Sequence, residues 1–258
     1  MSEQLTRRVA MCLMAHPDDC EILAAGTLAL LAARGWEVHI ATMSPGDCGS
    51  MDLGPEAIAA VRRAEGAAGA AVIGGTYHCL ESRDLYIMFD EPTLRRTTSL
   101  MRQIAPTLVI TNSLVDYMVD HEMAGKLARS ATFGYPIPNT VTGAVPEGAQ
   151  VPWLYYADPL EGLDPYGQMV QPTTYVDITT SIDTKTEMLC AHASQREWLR
   201  AHHGIDQYVI AMRSWAERRG AEVGRPLAEG FRQHKGHAYP RECLLTAELG
   251  ADMVISRA

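Results

Sequence analysis

What this sequence lacks narrows its function first. No CxxC pair or zinc-ribbon spacing links its six cysteines, which are scattered at positions 12, 20, 48, 79, 190 and 243. They are expected to be free thiols packed as small apolar groups, with Cys20 and Cys48 falling near the candidate site described below. No Lys/Arg cluster is present, and the formal net charge of -9 disfavours nucleic acid and other polyanions as partners. No apolar run reaches membrane length, and no small-residue cleavage site follows the short apolar run after Arg8. The expectation is a cytoplasmic protein with no membrane partner. No G-x-G-x-x-G follows the first apolar run, which counts against a dinucleotide-binding module. Repeats, low-complexity tracts and linkers are also missing.

What is present fits a single domain spanning 1–258. With 47% apolar residues in 258, a large core can be built. Arg8 to Ala15, Glu37 to Met43, Val72 to Cys79 and Thr107 to Thr111 read as strands. Glu21 to Arg34, Pro55 to Ala71, Glu91 to Ile104 and Glu122 to Thr132 read as helices. Such alternation implies an α/β fold: a Rossmann-like, doubly wound, mostly parallel sheet with helices on both faces. The core is placed at about 8–134 and a C-terminal elaboration at about 135–258. In the latter, Tyr135 to Pro152 reads as a long loop near a functional mouth, and Val151 to Tyr156 and Thr174 to Ile178 as added strands. Thr184 to Arg200 and Gln207 to Arg219 read as helices, and Ala228 to Tyr239 as a polar tail.

The chemistry concentrates in Ala15-His16-Pro17-Asp18-Asp19-Cys20-Glu21, where the first strand should end and the first helix begin. Ligands of open α/β sheets bind outside the carboxyl ends of the strands. A histidine and two carboxylates at that edge need a shared partner, and a divalent metal supplies one. If the strand order resembles 3-2-1-4-5, the loop ending at His121 crosses the same crevice and adds a third ligand. His16, Asp19 and His121 are therefore the candidate metal ligands. Asp18 is the candidate base, taking a proton from a water that the metal acidifies. Taken singly, either aspartate would serve equally as a helix N-cap. Ligand type favours zinc, though iron, cobalt and nickel accept the same donors.

The same motif, with Gly26-Thr27 after it, resembles the signature of the PIG-L/LmbE-like family of zinc-dependent N-deacetylases. The resemblance continues through Gly46-Asp47-Cys48-Gly49, Arg62-Arg63-Ala64-Glu65 and Asp116-Tyr117-Met118-Val119-Asp120-His121. It extends to Lys185 with His192-Ala193-Ser194-Gln195 and to Ala228-Glu229-Gly230-Phe231-Arg232. It implies the ligand set and base already named, with Arg62 and Asp84 at substrate-contacting positions, though either would serve equally as a solvated helix-face charge or a turn residue. Asp120 is expected to orient a ligand histidine or to cap the next helix. The implied reaction is removal of an N-acyl group, typically acetyl, from a small-molecule amino sugar or sugar conjugate; a homo-oligomer is compatible with it. One position departs from the pattern. Met118 stands where the family usually has a histidine that steadies the oxyanion, and a thioether donates no hydrogen bond. His237, His234, Tyr117 and a backbone N–H are the candidate replacements, with His237 preferred. A different amide substrate, or a metal-binding protein with degenerate catalysis, are the competing readings.

Overall fold

The computed structural model describes residues 7–140, 142–196 and 207–257. Its first strand, β1 (Val9–Met14), is buried along its whole length, as expected of a strand covered on both faces. β2 (Glu37–Thr42), β3 (Thr76–Cys79), β4 (Leu108–Thr111) and β5 (Trp153–Ala157) join it in parallel register. β6 (Thr174–Asp177), β7 (Ala228–Gln233) and β8 (Val254–Ser256) complete the sheet with antiparallel pairings. The order is β3-β2-β1-β4-β5-β7-β6-β8. The chain thus reverses its direction of winding between β1 and β4, and the crevice predicted from sequence opens there.

The helices are α1 (Asp19–Leu23), α2 (Ala25–Ala32), α3 (Pro55–Ala71), α4 (Glu91–Ile104) and α5 (Val119–Gly134). α6 (Ile182–Cys190), α7 (Gln207–Glu222) and α8 (Leu244–Leu249) follow. One face of the sheet packs against α1, α2, α6, α7 and α8, with Leu28, Leu31, Tyr155 and Phe231 fully buried. α4 and α5 cover the other face through Met101, Ile104, Leu127 and Ala131. Local chemistry sets the helix starts. Pro55 opens α3 with its fixed φ. The Asp90 side chain accepts from the Thr93 N–H at 2.8 Å to cap α4.

Several expectations are corrected. The helix expected over Glu21 to Arg34 breaks at Ala24. A new helix N-terminus begins there because the Glu229 carboxylate accepts from Gly26 N and Thr27 N, each at 2.8 Å. Gly26 permits this approach: a Cβ there would lie 2.8 Å from Ile178 and 3.0 Å from the Glu229 carboxylate. β3 starts at Thr76 rather than Val72, since residues 72–75 close α3 through a turn with Gly74 at φ +68°. The predicted tail begins instead as β7, an interior strand between β5 and β6. Its polar letters misled because Glu229 is spent on capping α2, while the apolar signal is confined to Ala228 and Phe231.

The loop 135–152 does not border the crevice. It joins the end of α5 to the start of β5, at the opposite edge of the sheet, where Arg102 ties it down through Tyr135 O and Ile137 O. The helix expected over Thr184 to Arg200 is interrupted at Ala191 and His192; its end, and His202 and His203, lie outside the described residues. Tyr155 and Tyr156 are core residues.

Candidate active site

The loop after β1 turns sharply into α1 because Asp18 adopts a left-handed conformation, φ 101°. For a non-glycine residue this is costly and persists only where surroundings enforce it. The enforcement comes from Arg62 on α3. Its Nη2 donates to Pro17 O at 2.6 Å and to Asp18 Oδ2 at 3.3 Å, while Nη1 reaches Gly46 O at 3.4 Å. Gly46, at φ +73°, has to be glycine here, since a Cβ would fall 2.3 Å from that guanidinium. Arg62 thus clamps the loops after β1 and β2 together.

His16, Asp19 and His121 meet across the crevice. His16 N donates to Asp19 Oδ2 at 2.9 Å, and His16 Nδ1 lies 3.6 Å from the same oxygen. His121 Nε2 lies 3.4 Å from Asp19 Oδ1. Each ring is held from behind by carboxylates. His16 Nε2 is 3.0 Å from Asp84 Oδ1 and 3.2 Å from Asp120 Oδ2, and His121 Nδ1 is 3.0 Å from Asp116 Oδ1. Asp120 is fixed in turn by the N–H groups of Leu85 at 2.8 Å and Ile87 at 3.4 Å.

The electrostatics follow from crowding. Burial disfavours the charged His16 ring, yet Asp120, Asp19 and Asp84 outweigh it and hold its pKa well above the ordinary value. Burial likewise opposes His121, but Asp19 and Asp116 push it up to about 10. Asp19 is raised by burial and lowered more by His121 and His16, ending well below the usual carboxylate range. Burial raises Asp18 despite Arg62, and the neighbouring charge of Asp19 adds to the rise.

This donor set fits a divalent cation. One nitrogen of each histidine is engaged by carboxylates, which fixes ring orientation as in known metal sites. The other nitrogens face Asp19, and one atom from each of the three residues lies within 4.8 Å of the others. Two histidines and a carboxylate are a common catalytic zinc set. Among the described residues, five aspartates (18, 19, 84, 116 and 120) crowd this site, and Arg62 is the only Lys or Arg that lines the cleft. A cation would relieve that imbalance better than protons on imidazole. His16, Asp84 and Asp120 form a second grouping of suitable size. Its carboxylates are already occupied by backbone N–H donors, so the first set is favoured.

The three ligand candidates open onto a cleft of about 550 Å³, lined also by Asp18, Arg62, Asp84, Tyr117, Met118, Ile22 and Leu160. The structure therefore brings together His16, Asp18, Asp19, Arg62, Asp84, Asp120 and His121. Asp84 reaches the ring of His16 as well as the cleft. His237 is elsewhere. β7 runs antiparallel to β5, so the chain beyond Gln233 leads away from the carboxyl edge, and His237 sits exposed on a turn there. His234 lies at the same far edge, paired with the Tyr156 hydroxyl at 3.0 Å. Of the side chains considered as oxyanion donors, only Tyr117 lines the cleft, its ring edge-on to His121 with centroids 5.6 Å apart.

Sequence reasoning did not single out Asp116 as the partner of His121, although it lies in the quoted motif. It also missed Tyr208 at the start of α7, whose hydroxyl donates a hydrogen bond to Asp18 Oδ2. His192 and Glu21 form another buried pair, 3.4 Å apart, beneath the site.

Residues 11–132 match the family described as PIG-L: GlcNAc-PI de-N-acetylase, so the resemblance read from the motifs holds. A 4-oxalmesaconate hydratase from Pseudomonas putida is 27% identical, over 73% of this chain and 74% of that protein. A diacetylchitobiose deacetylase from Thermococcus kodakarensis is 26% identical, over 72% of this chain and 69% of that one. In structure, a 4-carboxy-2-hydroxymuconate hydratase from Pseudomonas putida superposes with a TM-score of 0.74 at 22% identity. That match covers 92% of this chain and 100% of the other, and it bears out the fold.

Proposed function

We propose that this PIG-L-like chain is a metal-dependent hydrolase that removes an N-acyl group, in first place acetyl, from an amino sugar or sugar conjugate. The observation that carries the reading is the convergence of His16, Asp19 and His121 on one open cleft, with Asp18 beside them. A divalent cation held by those three residues would polarise the acyl carbonyl and bring the pKa of water towards about 7.

The chain's own groups supply the rest. Asp18, with its pKa raised, takes the proton of the attacking water as the new C–O bond forms. The carbonyl π pair moves onto oxygen, where Tyr117 is placed to donate a hydrogen bond. Its phenol, pushed up to about 12 by burial and by Asp19, stays protonated at neutral pH. As the C–N bond breaks, Asp18 returns its proton to the amine nitrogen, giving amine and carboxylate.

The names of the relatives support a second reading, addition of water to an unsaturated carboxylic acid, and Met118 favours an unusual substrate. The cleft argues against it. Among the described residues, Arg62 is the only Lys or Arg in its lining, and it is already engaged by Asp18, Pro17 O and Gly46 O. None of the described residues offers a polycarboxylate a free cationic side chain there. The experiment is acetate release from N-acetylglucosamine and its conjugates, using zinc-loaded protein with the chelated form as control. Metal-dependent release is expected. If folded, metal-bound protein released none and instead hydrated 4-oxalmesaconate, the second reading would replace the first.

A further inference from the structure

Asp18 carries an asymmetry that its role as base does not require. Tyr208 Oη and Arg62 Nη2 both donate to Oδ2, and among the described residues no hydrogen bond reaches Oδ1. Tyr208 comes from α7, an element apart from the crevice loops, and its ring packs on the main core. Phenylalanine would fill the same space, so the hydroxyl adds nothing to packing. Bringing a phenol to a carboxylate in a partly buried setting is favourable only as a made hydrogen bond.

We propose that Tyr208 is a positioning residue that, with Arg62, locks Asp18 Oδ2 and reserves Oδ1 as the oxygen that takes and returns the proton. Two donors on one oxygen draw charge towards it and fix the carboxylate plane, while the left-handed backbone of Asp18 fixes its origin. The phenolic proton stays on Tyr208 throughout; no bond to it is made or broken in the reaction. The inference rests on the hydrolase reading above for its catalytic consequence, but the contact itself does not.

The test pairs an activity measurement with one that needs no substrate. In Tyr208→Phe, kcat on the best N-acetylated substrate should fall about 10–100-fold, the usual range for residues that orient a reacting group. KM and bound metal should stay within about twofold of wild type, since the ligand set is intact. A purely structural role would move KM, metal content and melting temperature together. Independently, the near-ultraviolet difference spectrum between wild type and Asp18→Asn should show a perturbed tyrosine, absent when the same comparison is made in the Tyr208→Phe background. Unchanged kcat in Tyr208→Phe, or no tyrosine signal, overturns the proposal. Wild-type protein that shows the signal but hydrolyses no N-acyl substrate overturns the functional reading and leaves the Tyr208–Asp18 contact standing.

Discussion

Asp18, Tyr117 and His121 occupy one cleft but should fail in different ways when changed. Asp18→Ala removes the proposed base and none of the proposed ligands, so turnover should drop by about 10²–10⁴-fold while zinc stays bound, as read by metal analysis after dialysis. Metal lost together with activity would count against the assignment. His121→Ala should lose the metal itself, because the remaining pair cannot complete a three-ligand set. Tyr117→Phe should lower kcat by about 10²–10³-fold with little change in KM, the signature of a donor used only in the transition state. An unaltered kcat would return the oxyanion role to a backbone N–H. At this scale the sequence was most informative where partners are close in the chain. His16, Asp18 and Asp19 fall within four consecutive positions, whereas the pairing of Asp116 with His121, five residues on, was not read even at that short range. Tyr208 and Asp18 are separated by 190 residues, and no spacing rule reaches that far.

Among the elements, the reading succeeded where the local signal and the tertiary role agree. α3 begins at its proline, α4 at its Asp90 cap, and β1 is apolar because both its faces are covered. It failed where a distant residue reshapes a local pattern. Glu229 divides one predicted helix into α1 and α2 from 203 residues away, and makes a buried strand look like a polar tail. Lys185 completes that arrangement, its Nζ 2.6 Å from Glu229 Oε1 with both side chains buried. Glu229→Ala should therefore cost about 3–5 kcal/mol, since it strands a buried ammonium and uncaps α2; denaturant unfolding would measure it. A loss under about 1 kcal/mol would mean that water or another group replaces the carboxylate. Asp90 gives a milder case with a pH signature. Its hydrogen bond from Thr93 N holds its pKa below the ordinary value in the folded state. A depressed folded pKa adds stability above the unfolded value, and that stability is lost as pH falls through the folded one. Asp90→Ala should therefore flatten the acid side of the stability profile; an unchanged acid limb would show that the cap contributes nothing.

For the whole molecule, the crevice between β1 and β4 is both the weakest and the most informative feature. Its crowded aspartates repel one another unless a cation is shared among them. Zinc should accordingly raise the melting temperature, and at about a hundredfold excess over Kd the gain is about 2.7 kcal/mol. Identical melting with and without chelator would mean that the site holds no metal in the folded state. The parallel core and its switch point were legible because alternating strands and helices admit few topologies. The antiparallel half was not, because β7 enters the sheet between two strands that precede it. That insertion has a consequence for synthesis on the ribosome. β6 has no neighbour until residues 228–233 have left the exit tunnel, and α2, complete in sequence by residue 32, waits about two hundred residues for its cap. A nascent chain stalled before Glu229 would leave α2 uncapped and β6 unpaired, which makes the emergence of β7 the moment at which the antiparallel half can first join the parallel core.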